Sequence, residues 1–291
     1  MILTFKQFLN EARSPDRTHQ VNVMDLMYWA DRNASGYLKG KRFLYRGGSG
    51  RGWKTMIGNS VSIVPRRSAN TNNNYTLWMD YSGLFKDFPR RSQSFIGTDD
   101  KTTAAGFGNP CLLIVADNAK VGLVGHEDIW FVEIDPKTHM DLEEFNGNME
   151  FALRKLGYGN AKTFDELAKS LKATTMAKLE DAADNESNED VEKILEKVIT
   201  SIYKNGCKNM FELWEKLLTP KLFPPNTTGA EVSQHPTFGE VWIEGECGFI
   251  SADGSDFDED TKKAVLDWAQ EAYPHFMETL EADWNDHDFD N

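Results

Sequence analysis

Four residues, far apart in the chain, have side chains that could act together on a phosphorylated substrate: Arg46, Ser94, Thr98 and Glu240. The planar guanidinium of an arginine binds phosphate oxygens in pairs. A carboxylate stabilises positive charge that develops in a transition state, and nearby hydroxyls can hold that carboxylate in place. Considered alone, Arg46 could equally be a partner in a structural ion pair. Glu240 alone could be a charged residue on an edge strand. Serine and threonine occur on any half-exposed strand. Only the combination therefore indicates catalysis.

The hydrophobic pattern around these residues predicts the elements that must position them. Short apolar runs bounded by turn residues predict strands over residues 42–45, 92–98, 111–116, 129–134, 240–243 and 247–250. Helical spacing of apolar residues predicts helices over about 18–40, over 101–108 and in an acidic C-terminal segment, about 260–291. The glycine-rich run that begins at Gly47 permits close approach of the backbone to a neighbour or a ligand.

A block of helices, about 141–222, separates the early strands from the late ones. Thr163 and Glu166 have the spacing of a capping box that opens a helix. An apolar stripe over residues 191–202 stops at Gly206, as expected of a glycine that ends a helix. Strands, then helices, then strands predict an α+β protein in which residues 12–291 form one domain with this helical insertion.

Composition excludes several classes of protein. The chain has 291 residues, 27% of them charged, and a formal net charge of -14, which argues against tight binding of duplex DNA. No apolar run of about 18 residues exists, so we expect no transmembrane helix. The widely spaced Cys111, Cys207 and Cys247 fit neither a disulfide framework nor a zinc site. We therefore expect a reducing compartment and no bound metal.

The late and early strands resemble the arginine–serine–glutamate class of NAD-dependent ADP-ribosyltransferases. Residues 44–47 are similar to the first-strand motif of that family, residues 94–99 with 104–107 to its middle strand and following helix, and residues 240–250 to its final hairpin. The resemblance covers residues 42–116 and 236–251. It implies split antiparallel β-sheets around a cleft for NAD, which is consumed as a substrate.

The resemblance also implies roles for individual residues. Arg46 would bind the phosphates of NAD, with Gly47, Ser94 and Thr98 completing the binding site, and Glu240 would be the catalytic glutamate. The hydroxyl that orients Glu240 would come from Ser94 or Thr98, and we favour Ser94. In this assignment the catalytic residues are Glu240, Ser94 and Arg46.

Two departures from the family pattern bear on the acceptor and on the site. Residues 97–99 read Gly-Thr-Asp where the family commonly has Ser-Thr-Ser. Members that modify arginine carry Glu or Gln two residues before the catalytic glutamate, and Phe238 stands there instead. Glu244 and Glu246 form an alternative Glu-x-Glu pair, but they fall in a predicted hairpin turn.

The first eleven residues predict a short amphipathic helix, followed by a polar linker with a proline. This segment resembles the capsid-targeting leader of internal head proteins of large tailed bacteriophages, including a Leu9-Asn10-Glu11 motif before Ala12. The resemblance implies that the phage head maturation protease cuts between Glu11 and Ala12. The remainder would be packaged inside the virion head and injected with the DNA into the host cytoplasm. A first helix that frays is the simpler interpretation.

These observations lead to one principal hypothesis and two alternatives. The principal hypothesis is a packaged mono-ADP-ribosyltransferase that moves ADP-ribose from NAD to a host protein or RNA. The first alternative is a non-enzymatic packaged protein whose acidic surface inhibits a host nucleic-acid enzyme. The second is a degenerate transferase fold that serves as a binding module, suggested by Gly97 and Phe238.

Overall fold

A computed structural model describes residues 18–48, 54–61, 74–235 and 239–285. The predicted leader, its cleavage bond between Glu11 and Ala12, and Phe238 lie outside the described residues. The strands of the described part are β1 (Thr18–Gln20), β2 (Leu44–Gly48), β3 (Thr55–Asn59), β4 (Phe95–Thr98), β5 (Asn109–Val115), β6 (Lys120–Leu123), β7 (Glu133–Asp135), β8 (Met140–Asp141), β9 (Thr227–Thr228), β10 (Glu240–Glu244) and β11 (Glu246–Ser251).

Its α-helices are α1 (Val23–Asn33), α2 (Ser35–Leu38), α3 (Asn74–Tyr81), α4 (Lys101–Ala105), α5 (Leu142–Lys155), α6 (Phe164–Ala173), α7 (Met176–Asp184), α8 (Glu189–Asn205), α9 (Met210–Leu217), α10 (Gly229–Val232), α11 (Glu259–Ala272) and α12 (Pro274–Asn285). The protein is therefore α+β, as the order of predicted elements indicated. Within the described residues, no helix is both long enough and apolar enough to cross a membrane.

The chain divides into two compact units. One unit comprises residues 1–70, 88–127 and 224–291, and contains the large sheet; the other comprises residues 71–87 and 128–223, and is mainly helical. The strands of the sheet unit lie in the order β1-β3-β11-β5-β2-β4-β10-β6-β9, and all pairings between these strands are antiparallel.

The sheet is narrowly joined at its centre. β2 pairs with β5 over five residues and β4 pairs with β10 over four, but β2 and β4 share only the pair Tyr45 and Thr98. The strands on either side of this joint can diverge, because only one residue pair connects β2 to β4. The joint divides the sheet into a five-stranded half and a four-stranded half.

Helices α1, α11 and α12 belong to the core of the sheet unit. The side chain of Asn22 caps α1 by accepting a hydrogen bond from the Asp25 amide. Leu26 is buried, and a Cβ at Gly248 of β11 would come within 2.6 Å of its Cδ1 atom, so α1 lies close against the sheet. Phe276 of α12 packs edge to face with Phe43, with 5.1 Å between ring centroids.

The C-terminal segment forms two helices where one was predicted. The break falls at Tyr273, whose φ and ψ of -140° and 62° are not helical, immediately before Pro274. Proline has no amide hydrogen and disfavours a helical conformation in the residue before it. The helix therefore ends before Tyr273, and α12 begins at Pro274.

In the helical unit, local signals produced the expected helices. The Thr163 hydroxyl accepts a hydrogen bond from the Glu166 amide at the start of α6, as the capping pattern predicted. Gly206, at φ 66°, ends α8. Trp78 and Trp214 contact each other in the core of the unit, with 5.5 Å between ring centroids.

One strand prediction in this unit was wrong. Residues 129–134 contain a 3-10 helix, Ile129–Phe131, and only the start of the short strand β7. The Asp128 side chain accepts a hydrogen bond from the Trp130 amide and so caps a tight turn. This side-chain acceptor offers the backbone an alternative to strand pairing, which an apolar sequence pattern does not reveal.

Candidate functional site

The three strands that carry the sequence motifs lie side by side. β4 pairs with β10 on one edge and meets β2 on the other, so the sheet brings together residues from three distant parts of the chain. A cleft of about 340 Å³, including its open mouth, lies at this junction. The cleft is lined by Tyr45, Arg46, Gly47, Ile96, Gly97, Thr98, Thr103, Ala104, Phe107, Glu127 and Glu240.

Arg46 spans the narrow joint of the sheet. Its Nη1 donates a hydrogen bond of 2.6 Å to the carbonyl of Ile96 on β4, and its guanidinium lies 5.9 Å from the centre of the Phe95 ring. The side chain is half-buried. Arg46 thus has a structural role between β2 and β4 and also lines the cleft beside them.

Gly47 also lines the cleft, but packing within the protein explains why this position requires glycine. A Cβ at this position would lie 2.4 Å from the carbonyl oxygen of Ala104 in α4. A Cβ at Gly97 would lie 2.9 Å from Leu113. A side chain at Gly47 would push α4 away from β2, and one at Gly97 would displace the Leu113 side chain. The two glycines therefore shape the cleft, and do not by themselves indicate a ligand.

Glu240 is buried at the edge of the cleft and has a defined orientation. Trp242 Nε1 donates a hydrogen bond of 2.6 Å to Glu240 Oε1. Arg91 Nη2 lies 3.6 Å from the same oxygen, and both side chains of this ion pair are nearly inaccessible to solvent. The Arg91 guanidinium also lies 5.4 Å from the centre of the Trp242 ring. A buried carboxylate is stable only with such partners.

Arg91 and Trp242 both lie within the residues that the family resemblance covers, but no role was assigned to either from the sequence. Their contacts with Glu240 depend on the approach of the 3-10 helix at Arg91–Gln93 to strand β10. An arginine directly before a predicted Ser/Thr strand carries no signal of such a partner. The tertiary structure supplied this assignment.

The two candidate hydroxyls have different surroundings. Thr98 lies directly opposite Glu240 in the pairing of β4 with β10, and it lines the cleft. Its hydroxyl accepts a hydrogen bond from the Asp100 amide. Ser94 does not line the cleft, and its buried hydroxyl donates to the carbonyl of Arg90 at 2.8 Å. The geometry therefore brings Thr98, rather than Ser94, together with Arg46 and Glu240.

The alternative glutamates, Glu244 and Glu246, lie away from the cleft. Glu244 ends β10 and is held by Arg90, whose Nε donates to Glu244 Oε1 at 2.8 Å and whose backbone amide donates to Oε2 at 2.7 Å. Glu246 is exposed at the start of β11. These contacts give Glu244 a structural role.

Glu127 is a cleft residue that the sequence did not indicate. It follows His126, whose carbonyl accepts a 2.6 Å hydrogen bond from the Glu240 amide. Gly239 forms a bridge with His126 and has φ 57°, and a Cβ there would lie 2.1 Å from the His126 carbonyl oxygen. The left-handed conformation and the close approach both require glycine. Gly239 thereby fixes the backbone beside Glu127 against the start of β10.

No cysteine near the site is poised as a nucleophile. Cys111 lies opposite Arg46 in the pairing of β2 with β5. Burial raises the pKa of its thiol to about 12, despite the opposing effect of Arg46. Burial likewise raises the pKa of Cys247. Because the thiolate is the reactive form, both side chains are inert core residues.

One wall of the cleft is connected to the C-terminal helix α12. Burial, and then the charge and hydrogen bond of Asp283, raise the pKa of Tyr45. Lys101 Nζ of α4 lies 3.1 Å from Asp283 Oδ1. Asp283 of α12 therefore connects β2 and α4, the two elements that carry one wall of the cleft.

Comparison of the chain with protein-family models, with curated proteins and with solved structures found no match. Among the residues described, no group of three or more histidine, cysteine, aspartate or glutamate side chains could hold a metal ion.

Proposed function

We propose that this protein is a mono-ADP-ribosyltransferase that moves ADP-ribose from NAD to a host protein or RNA. The observation that carries the proposal is the junction of β2, β4 and β10. There Arg46, Thr98 and Glu240, which come from three separate motifs, line one cleft. The division of the sheet into two halves at Tyr45 and Thr98 also supports the split-sheet transferase fold that the sequence resemblance implies.

The proposal draws support from the types of residue that line the cleft, which would suit parts of NAD. β2 and β10 flank β4, so their backbones are about 10 Å apart, and Arg46 and Glu240 come to the cleft from the two sides of β4. The apolar walls formed by Ile96, Ala104 and Phe107 suit the rings of a dinucleotide. The cationic Arg46 would suit the phosphates of NAD. The anionic Glu240 would suit the ribose of NAD, which gains positive charge during the reaction.

NAD would supply a bond between ribose and nicotinamide that breaks with positive charge developing on the sugar. Arg46 would pair with the phosphate oxygens. Glu240 would stabilise the developing charge, and its orientation is already fixed by Trp242 and Arg91. Thr98 lies opposite Glu240 in the pairing of β4 with β10 and lines the cleft, and its hydroxyl would hold the reacting ribose or the carboxylate. In this proposal Thr98 takes the role first assigned to Ser94.

The proposed setting is a phage virion. Residues 1–12 resemble a capsid-targeting leader with its cleavage site, and they lie outside the described residues. We therefore keep packaging in the phage head, cleavage between Glu11 and Ala12, and release into the host cytoplasm as parts of the proposal. Recovery of a chain that begins at Ala12 from purified virions would test all but the last part.

The activity is tested by incubating the full chain with NAD labelled in its adenosine part and with bacterial lysate. The variant Glu240→Gln keeps the shape of the side chain, and Glu244→Gln is its matched control at the other end of β10. We expect label on macromolecules with the wild type and the control, and loss of label by at least about 100-fold in Glu240→Gln. Circular dichroism checks that the variant is folded.

Two outcomes would contradict the proposal. The first is the absence of both labelling and nicotinamide release with the folded wild type. The second is equal activity in Glu240→Gln and Glu244→Gln. If the wild type and Arg46→Ala inhibit a host nucleic-acid enzyme equally without consuming NAD, the acidic inhibitor replaces the transferase. NAD binding without turnover would instead indicate a degenerate transferase that serves as a binding module.

A further inference from the structure

The joint between β2 and β4 governs where Arg46 lies relative to Glu240. Within the described residues, Tyr45 and Thr98 form the single pair between these two strands, and Thr98 is also the partner of Glu240 on β10. Residues that are paired directly across a sheet lie side by side. Tyr45, Thr98 and Glu240 therefore form one row across three strands, and all three line the cleft.

So narrow a joint needs links besides backbone pairing, because the ladder of backbone hydrogen bonds is what normally holds neighbouring strands together. One such link is the hydrogen bond of 2.6 Å from Arg46 Nη1 to the carbonyl of Ile96. The same guanidinium is proposed to bind the phosphates of NAD. A second link that does not involve Arg46 would therefore hold the joint in place while NAD is bound.

Asp283 of α12 makes a second link. On the β2 side of the joint, the Tyr45 hydroxyl donates a hydrogen bond to the Asp283 carboxylate. On the β4 side, Lys101 Nζ lies 3.1 Å from Asp283 Oδ1 and donates to the Asp283 backbone carbonyl at 3.4 Å. Lys101 begins α4, and only a short turn separates it from Thr98 at the end of β4. Asp283 thus contacts both sides of the joint.

This link is buried, and the last turn of α12 is itself held in place. The side chains of Lys101 and Asp283 are 13% and 9% exposed, so solvent screens their attraction only weakly. The next residue, Trp284, is also buried, and its Nε1 donates a hydrogen bond of 3.0 Å to the carbonyl of Ser251 at the end of β11. A Cβ at Gly254 would lie 2.7 Å from the Trp284 carbonyl oxygen. Contacts with β11 and the turn after it therefore fix the position of Asp283.

We propose that Asp283 is a positioning residue for NAD binding, which ties the two sides of the joint together and so keeps Arg46 in its place relative to Glu240. The inference rests on the proposed transferase function and deepens it. Asp283 does not itself line the cleft; it acts through Tyr45 and α4, which do. The last helix of the described chain is thereby part of the support of the NAD site.

The inference is tested by steady-state kinetics of nicotinamide release, with the full chain, NAD and bacterial lysate. Asp283→Ala removes both contacts of the carboxylate, and Glu281→Ala, the same kind of change at an exposed residue of α12, is the matched control. Tyr45→Phe removes only the hydroxyl that meets Asp283 and keeps the ring that lines the cleft. Circular dichroism selects a temperature at which every variant is folded.

We expect Asp283→Ala to raise the KM for NAD by about 10- to 100-fold, because displacing a binding group by about 1 Å can cost about 100-fold. The kcat should change by less than about threefold, since Trp242 and Arg91 still hold Glu240. Tyr45→Phe should also raise the KM, whereas Glu281→Ala should not. The double variant of Tyr45→Phe with Asp283→Ala should have the KM of Asp283→Ala alone, because both changes break the same link.

A role for Asp283 in stability alone would lower the melting temperature and leave the KM unchanged. An unchanged KM in folded Asp283→Ala would therefore overturn the inference, and so would an equal rise in Glu281→Ala or a fall in kcat at constant KM. If Asp283→Ala does not fold, an unchanged KM in Tyr45→Phe overturns the inference instead. Each of these results leaves the transferase intact. If the wild type releases no nicotinamide with lysate, the proposed function itself fails.

Discussion

Replacing Arg91 by methionine should weaken the sheet unit strongly, because it leaves the Glu240 carboxylate without its cationic neighbour. The two side chains are 5% and 2% exposed, and Nη2 lies 3.6 Å from Oε1. At an effective dielectric constant of about 20, unit charges at that separation attract by about 4–5 kcal/mol. Removing one partner of a buried pair typically costs about 3–5 kcal/mol. We therefore expect Arg91→Met to destabilise the unit by about 3–4 kcal/mol.

Arg90→Met is the matched control, because it makes the same chemical change in the adjacent residue. The Arg90 side chain is 41% exposed, so solvent screens its pair with Glu244, and its loss should cost about 1 kcal/mol or less. A double variant, Arg91→Met with Glu240→Gln, removes both buried charges. It should be more stable than the sum of the two single effects predicts, by about 2 kcal/mol.

Native-state hydrogen exchange of the β10 amides measures these free energies within the sheet unit, independently of the helical unit. Equal losses in Arg91→Met and Arg90→Met would refute the assignment of a buried pair. So would a coupling energy below about 0.5 kcal/mol in the double-mutant cycle, because that is the limit expected of independent sites.

Two further predictions concern one glycine and one carboxyl. Gly239→Ala should destabilise the sheet unit by at least about 2 kcal/mol, because the left-handed conformation disfavours a Cβ and the His126 carbonyl occupies its place. Hydrogen exchange of β10 measures this loss, and Gly106→Ala, the same change at an exposed glycine of the sheet unit whose φ is -58°, should cost less than about 1 kcal/mol. Burial raises the pKa of Glu150 on α5 to about 7, whereas the pKa of a glutamate in an unfolded chain is about 4.3. The contribution of the Glu150 carboxyl to the stability of the helical unit should therefore be fully present below about pH 4.3. The free energy of unfolding should decrease by up to about 2 kcal/mol as the pH rises through about 7. Urea midpoints from pH 4 to pH 8 check this, and a Glu150→Gln variant with the same pH dependence would contradict it.

Much of the secondary structure was available from the sequence, because the signals act over a few residues. Thr163 caps the start of α6, and Gly206 ends α8, as predicted. The predictions failed where a local detail outweighed the hydrophobic pattern. Asp128 caps a 3-10 turn within a predicted strand, and Pro274 divides a predicted helix.

The candidate site was only partly available from the sequence. Arg46, Thr98 and Glu240 were selected from their motifs, and all three line one cleft. Ser94 was preferred over Thr98, but the pairing of β4 with β10 places Thr98 opposite Glu240. Strand register is set by packing across the whole sheet, so spacing within one segment does not decide which hydroxyl meets which carboxylate.

The sequence by itself determined the α+β class and the identity of four cleft residues (Arg46, Gly47, Thr98 and Glu240), because composition, periodicity and motif order are properties of local segments. Only the tertiary structure decided the rest. It placed β2, β4 and β10 side by side, buried Glu240 between Arg91 and Trp242, and brought Glu127 to the cleft through Gly239 and His126. Each of these depends on contacts between residues far apart in the chain, which form only when the complete sheet is assembled.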